Sequence, residues 1–208
     1  MEKHISIKKF PDDLEILNDH VDINLREQEF IETYILGPYF PWFWQNQQTF
    51  GDEEAIPKYI KPHVKSYNGP FLSHTLLLRT ESESVKHTER PGNEISSHFE
   101  FFLELFNRFM VKHDLKYTNI FRANLNLTWH NSNLHTAPHL DHHWPHKNFI
   151  MYLTSCDQGQ TIIWPDDFST SYMIPCIQYT AVTFKQHWHA QRYPSPGSRR
   201  LVFVLTYI

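Results

Sequence analysis

Only two cysteines, Cys156 and Cys176, occur in 208 residues. They form no Cys-x-x-Cys pair and are too few for a disulfide scaffold, so two reduced core thiols are expected. Basic charge is also thin: 19 Lys and Arg stand against 23 Asp and Glu, for a net charge of -4. No long basic run exists, which counts against a sequence-independent grip on nucleic-acid phosphates. The one local cluster is Arg192, Arg199 and Arg200. No apolar run approaches the roughly 20 residues needed to span a bilayer, and the aromatic stretch Tyr39 to Trp44 is interrupted by Pro41. The opening MEKHISIKKF has no apolar core of the secretory kind. A cytoplasmic protein with no membrane partner is expected.

What the chain does have is material for a core, with 40% hydrophobic and 15% aromatic residues. The length fits a single domain over 1–208, with 1–116 as helical support and an irregular lid region and 117–208 as core strands carrying the site. Residues 4–8 alternate weakly, as in a short strand. Pro11-Asp12-Asp13 opens a helical pattern through about Asp22, with Leu14, Ile16, Leu17 and Val21 on one side. Residues 37–70 show no period, 71–79 (FLSHTLLLR) alternate as a strand, and 80–93 are charged and punctuated by Pro91-Gly92, as in a surface loop.

Ser97 and Glu100 have capping-box spacing ahead of Phe99, Phe102, Phe106, Phe109 and Met110, whose steps of three and four put them on one helix face. After Lys116 the period becomes two. Residues 120–127, 148–154, 160–164, 179–184 and 199–207 read as strands separated by turns. Short strands at this spacing indicate an antiparallel sandwich or open barrel. Helices in the first half then back one sheet of an α+β double-stranded core.

Histidine is the compositional outlier, at 15 residues, with His130, His135, His139, His142, His143, His146, His187 and His189 crowded late in the chain. Imidazole is the commonest metal ligand. His139-Leu140-Asp141 places an imidazole and a carboxylate two residues apart, on one face of an extended strand. A third ligand from a neighbouring strand, His189, completes two nitrogens and one carboxylate, the facial triad of non-haem Fe(II) oxygenases. His187 lies two residues from His189, on the same strand face, and is the alternative third ligand. Ten residues after His189, Gly197-Ser198-Arg199 opens the last strand, and a guanidinium there is suited to pair with a carboxylate through two parallel hydrogen bonds. Alternation sends Arg199 and Arg200 to opposite faces, so only one points in.

The segments RANLNLT, PHLDHH, FIMYLT, GQTIIWP, AVTFKQHWHAQRYP and GSRRLVFVLTY, spanning Arg122 to Ile208, resemble the Fe(II)/2-oxoglutarate oxygenase superfamily. The likeness is to its prolyl-4-hydroxylase-like branch and to small phage-borne members, which GPYFPWFW also resembles. The resemblance implies a double-stranded β-helix (jelly-roll, cupin-like) core, with Fe(II), 2-oxoglutarate and dioxygen as cofactor and co-substrates. It implies His139, Asp141 and His189 as metal ligands. It favours His189 over His187, and Arg199, through Gly-x-Arg, as the holder of the distal 2-oxoglutarate carboxylate. It also points to Asn124, Asn126, Tyr152 and Thr161 as polar residues assisting the co-substrate. His142, His143, Trp144 and His146 are expected at the rim or behind the ligands.

The implied activity is a dioxygenase that hydroxylates a prolyl or other protein or amino-acid side chain, releasing succinate and carbon dioxide. Two alternatives remain: a non-catalytic metal- or ligand-binding double-stranded module, and a cupin-like oxygenase binding substrate directly to its metal. The arginine argues against the second. Against the first, a structural metal site is usually closed by a fourth protein ligand.

Overall fold

The computed structural model describes residues 15–46, 69–79, 93–132 and 134–208. The expectations for residues 4–8, for most of 37–70 and for the loop at 80–92 lie outside them. The described chain runs β1 (Leu17–His20), α1 (Leu25–Glu29), a π-helical turn (Phe30–Ile35), β2 (Phe43–Gln45), β3 (Phe71–Leu78), β4 (Asn93–Glu94) and α2 (Phe99–Lys112). It continues through β5 (Ile120–Trp129), β6 (Lys147–Tyr152), β7 (Thr161–Trp164), β8 (Tyr172–Ile174), β9 (Thr180–Lys185), β10 (Trp188–Gln191) and β11 (Arg199–Tyr207). The major sheet has the order β1-β9-β6-β11-β5-β3-β2, with β4 also on β3, and the minor sheet has the order β10-β7-β8. All pairings are antiparallel. Isolated bridges His135↔Arg192 and His139↔His189 lay residues 135–139 along the outer edge of β10. The two facing sheets make a double-stranded β-helix in an α+β chain.

Period-two patterning explains the layers. In β11, Leu201, Phe203, Leu205 and Tyr207 join the larger core cluster with Leu105, Phe102, Phe106 and Phe109 of α2. Ring centroids of Phe102 and Phe203 are 5.0 Å apart, and Phe106 lies 5.0 Å from Phe149 and 5.2 Å from Tyr207. The alternate residues Val202 and Val204 face the minor sheet and pack with Ile150, Tyr152, Ile163, Ile174, Val182 and Phe184. Each fully buried phenylalanine contributes about 1.5–3 kcal/mol, so the α2 stripe holds the helix against the sheet.

Two local expectations came out differently. Residues 17–20, expected helical, form β1, because the edge of β9 offers them a ladder from Leu17↔Thr183 to His20↔Thr180; tertiary pairing outweighs local periodicity. The capping box of α2 does not form. His98 stands at its N-cap with no side-chain cap, and Ser96 takes the turn, accepting from the His98 backbone amide. The capping box that does form joins Asn24 and Glu27 at α1, and Glu27 also binds Arg108 of α2 at 2.8 Å. Residues 15–116 thus carry strands as well as helices. Among the described residues no helix is long and apolar enough to cross a membrane.

Candidate metal centre

His139 and His189 face each other across an antiparallel bridge. The His139 amide donates to the His189 carbonyl at 2.9 Å, and the His189 amide donates back at 3.0 Å. Their ring centroids are 4.4 Å apart. Each Nδ1 contacts the backbone carbonyl two residues earlier, Ala137 at 3.2 Å and His187 at 3.0 Å. A carbonyl only accepts, so Nδ1 carries the hydrogen and Nε2 presents a lone pair. Asp141 follows the bridge, with its Oδ2 3.4 Å from His189 Nε2. The ligand atoms of His139, Asp141 and His189 all lie within 4.8 Å of one another. Two neutral nitrogens and a carboxylate converging from one side are a donor set that suits a divalent first-row metal with open coordination positions.

Electrostatics hold the donors in the forms a metal requires. Burial, reinforced by nearby His189, lowers the His139 pKa to about 4. Burial alone would raise Asp141, but the Arg122 guanidinium beside it holds it well below the usual carboxylate range. Arg122, on β5, binds Asp141 Oδ1 at 2.5 Å and leaves Oδ2 on the histidine side. The sequence carries no signal for Arg122 beyond its parity with Asn124 and Asn126 on β5.

The two arginines of the last strand separate by face. Arg199 is exposed. Arg200 is 3% exposed and points between the sheets. This corrects the expectation that Arg199 points in. The bulky odd-numbered residues of β11 pack toward α2, and Arg199 shares their parity. Arg200 donates from Nε to the Gly159 carbonyl at 2.9 Å, from NH1 to Gln191 Oε1 at 2.7 Å and from NH2 to Thr161 Oγ1 at 3.1 Å. Its Cζ sits 5.4 Å from the Tyr152 ring centroid, and the Tyr152 hydroxyl donates to Thr161 Oγ1 at 2.6 Å. Burial pushes the Tyr152 pKa up to about 12, keeping the phenol neutral. No carboxylate forms an ion pair with Arg200 among the described residues. A buried guanidinium with only neutral partners is costly unless an anion joins it.

Register sets the spacing between the two centres. Gln191 pairs with Thr161, and His189 pairs with Ile163. The Arg200 partners are therefore two residues along the same strands from His189, about 7 Å, which is the span of a small diacid.

Tyr152 and Thr161 thus meet at Arg200 as a group. Asn124 and Asn126 lie on the inner face of β5 opposite Val204 and Val202, each with its Oδ1 buried and lacking a hydrogen-bond partner. His187 contributes its carbonyl to His189, and its ring points toward Asp166 at 3.8 Å, away from the cluster. His142 and His146 are buried, whereas His143 is exposed. His142 donates from Nε2 to Thr206 Oγ1 at 2.8 Å while Arg79 donates to its Nδ1 at 3.2 Å, and its ring stacks on Trp144 at 4.4 Å. These residues form a packed layer behind Asp141. Gln191 and Gly159 lie inside segments that carry the family resemblance, but nothing in those segments marks them as partners of an arginine.

No protein-family model matches the chain, and no curated protein matches its sequence. Solved structures do match its fold. An oxidoreductase of the 2OG-Fe(II) oxygenase family from Burkholderia pseudomallei aligns over 93% of this chain and 84% of its own, at 15% identity and a TM-score of 0.64. A prolyl hydroxylase from Trichoplax adhaerens, in complex with a hypoxia inducible factor peptide fragment, aligns over 93% and 83%, at 12% identity and a TM-score of 0.54. The non-heme alpha ketoglutarate dependent epimerase SnoN from nogalamycin biosynthesis aligns over 93% and 77%, at 10% identity and a TM-score of 0.53. At these identities the likeness is one of fold, and the fold is that of 2OG-Fe(II) oxygenases, prolyl hydroxylases included.

Proposed function

We propose that the protein is an Fe(II)- and 2-oxoglutarate-dependent dioxygenase whose metal is held by His139, Asp141 and His189. The observation that carries this reading is the pairing of that triad with a buried guanidinium lacking a counter-charge, one diacid length away on the same inner face. In this reading Arg200, in place of Arg199, grips the distal carboxylate of 2-oxoglutarate, with Tyr152 and Thr161 beside it. When bound, iron and 2-oxoglutarate supply the oxygen-activating chemistry. Arg122 orients Asp141 through Oδ1, and the Nδ1 hydrogen bonds aim both imidazoles. The carbonyl oxygens of Asn124 and Asn126 are acceptors for donors brought between the sheets. The resemblance of the core motifs, and the fold shared with prolyl hydroxylases, favour a prolyl or other protein or amino-acid side chain as the substrate.

The test is direct. Anaerobically purified protein given Fe(II), 2-oxoglutarate and air should form succinate without added substrate, and a panel of proline-containing peptides and free amino acids should raise the rate. Tight metal binding with no succinate formed under any condition would favour the non-catalytic binding module instead.

A further inference from the structure

The two cysteines, far apart in sequence, meet beside the Arg200 seat. The Cys156 amide donates to the Cys176 carbonyl at 3.2 Å, and both side chains pack in the same inner cluster. Gly159 marks where they converge. With φ at +72° it occupies a backbone region open to glycine. A Cβ there would run into the Cys156 sulfur and would stand 3.5 Å from both Cys176 Cβ and Arg200 Cδ. The Gly159 carbonyl is the acceptor for Arg200 Nε. The segment between the cysteines holds β7 and β8, including Thr161, a second partner of Arg200. Cys156 is half-buried and Cys176 buried. The Cys156 thiol and the Arg200 guanidinium lower the Cys176 pKa against the effect of its burial.

We infer that Cys156 and Cys176 are a reversible dithiol–disulfide pair, whose oxidation by a hydroperoxide closes the base of the β7–β8 hairpin and loosens the carboxylate grip of Arg200. The inference rests on the co-substrate reading above. Bridging draws the two sulfurs to about 2.05 Å. That moves the turn bearing Gly159 and displaces its carbonyl from Arg200 Nε. The chemistry balances with hydrogen peroxide as the oxidant. Two S–H bonds and the peroxide O–O bond break, one S–S bond forms, the thiols give up two electrons and two protons, and two waters leave.

The experiment treats metal-free protein with hydrogen peroxide, removes the peroxide, loads Mn(II) and measures 2-oxoglutarate binding by calorimetry alongside intact mass. The expected result is loss of the mass of two hydrogen atoms, disappearance of both titratable thiols, and about tenfold weaker binding, all restored by a dithiol reductant. Cys156→Ser should bind like the reduced protein before and after peroxide. Thiols that stay free, or a bridged form that binds as tightly as the reduced form, would overturn the inference and leave the proposed function standing. A reduced protein that binds no 2-oxoglutarate overturns the proposed function and the coupling together, while the mass measurement still decides whether the bridge forms.

Discussion

On the helix side of the major sheet, Leu201, Phe203, Leu205 and Tyr207 of β11 meet the phenylalanines of α2. On the side facing the minor sheet, the intervening residues are Arg200, Val202, Val204 and Thr206. Their neighbours across β5 are Thr128, Asn126, Asn124 and Arg122. One face is saturated with ring contacts. The other keeps buried polar atoms without partners, among them Asn124 Oδ1, Asn126 Oδ1 and Arg122 Nε. Unsatisfied buried polar groups are destabilising. A single strand thus holds the fold together with one face and keeps unsatisfied polar groups on the other. Changes on the helix side should move stability and leave chemistry per folded molecule intact, and changes on the polar side should do the reverse.

The strongest break in that contrast is at the ligands. His139→Ala or Asp141→Ala should lower Fe(II)-dependent succinate formation by about a thousandfold or more, since each removes a member of a three-ligand site. The thermal midpoint of the metal-free protein should change little, and retained turnover in both variants would remove the ligand assignment. Next comes Phe106→Ala on the helix side. It should cost about 3–5 kcal/mol in urea unfolding, with succinate formed per folded molecule unchanged. A smaller effect separates the two arginines. Arg200→Ala should raise the KM for 2-oxoglutarate by roughly ten- to a hundredfold, the loss of a charge-assisted pair, while Arg199→Ala should stay within about twofold. The opposite ranking would show that the strand presents its other face to the co-substrate.

Burial lowers His142 to about 3 and His139 to about 4, from an ordinary 6.5. The unfolded chain therefore takes up protons first as pH falls. The stability these neutral rings contribute is whole above about pH 6.5 and is lost as pH drops through the native values. Metal-free protein should lose about 2 kcal/mol per ring between pH 7 and pH 5. His142→Gln should flatten that slope, and an unchanged slope would mean that His142 titrates normally.

Much of this contrast was readable in the residues. The period-two run from Arg199 to Tyr207 became β11 over the same span, and the aromatic steps of three and four became α2. His139, Asp141 and His189 came together as their spacing implied. Which arginine faces inward was also encoded, though not in the Gly-x-Arg motif. The larger side chains of the strand, Phe203 and Tyr207 among them, must meet the helix, and they share the parity of Arg199. The conversion of residues 17–20 from a helical pattern to β1 was not readable, because it depends on the free edge of β9, which is remote in sequence. The same holds for Arg122 with Asp141 and for Gly159 with Arg200, contacts that a strand residue makes with a loop residue remote in sequence.

The bridge between His139 and His189 has a consequence for metal choice. The two residues exchange both backbone hydrogen bonds, the geometry in which Cα atoms stand about 5.5 Å apart. The bite of the chelate is thereby dictated by peptide dimensions before any ion arrives. Such a fixed jaw suits small transition ions with bonds near 2 Å, and it would close poorly on calcium, whose ligands stand farther off and in greater number.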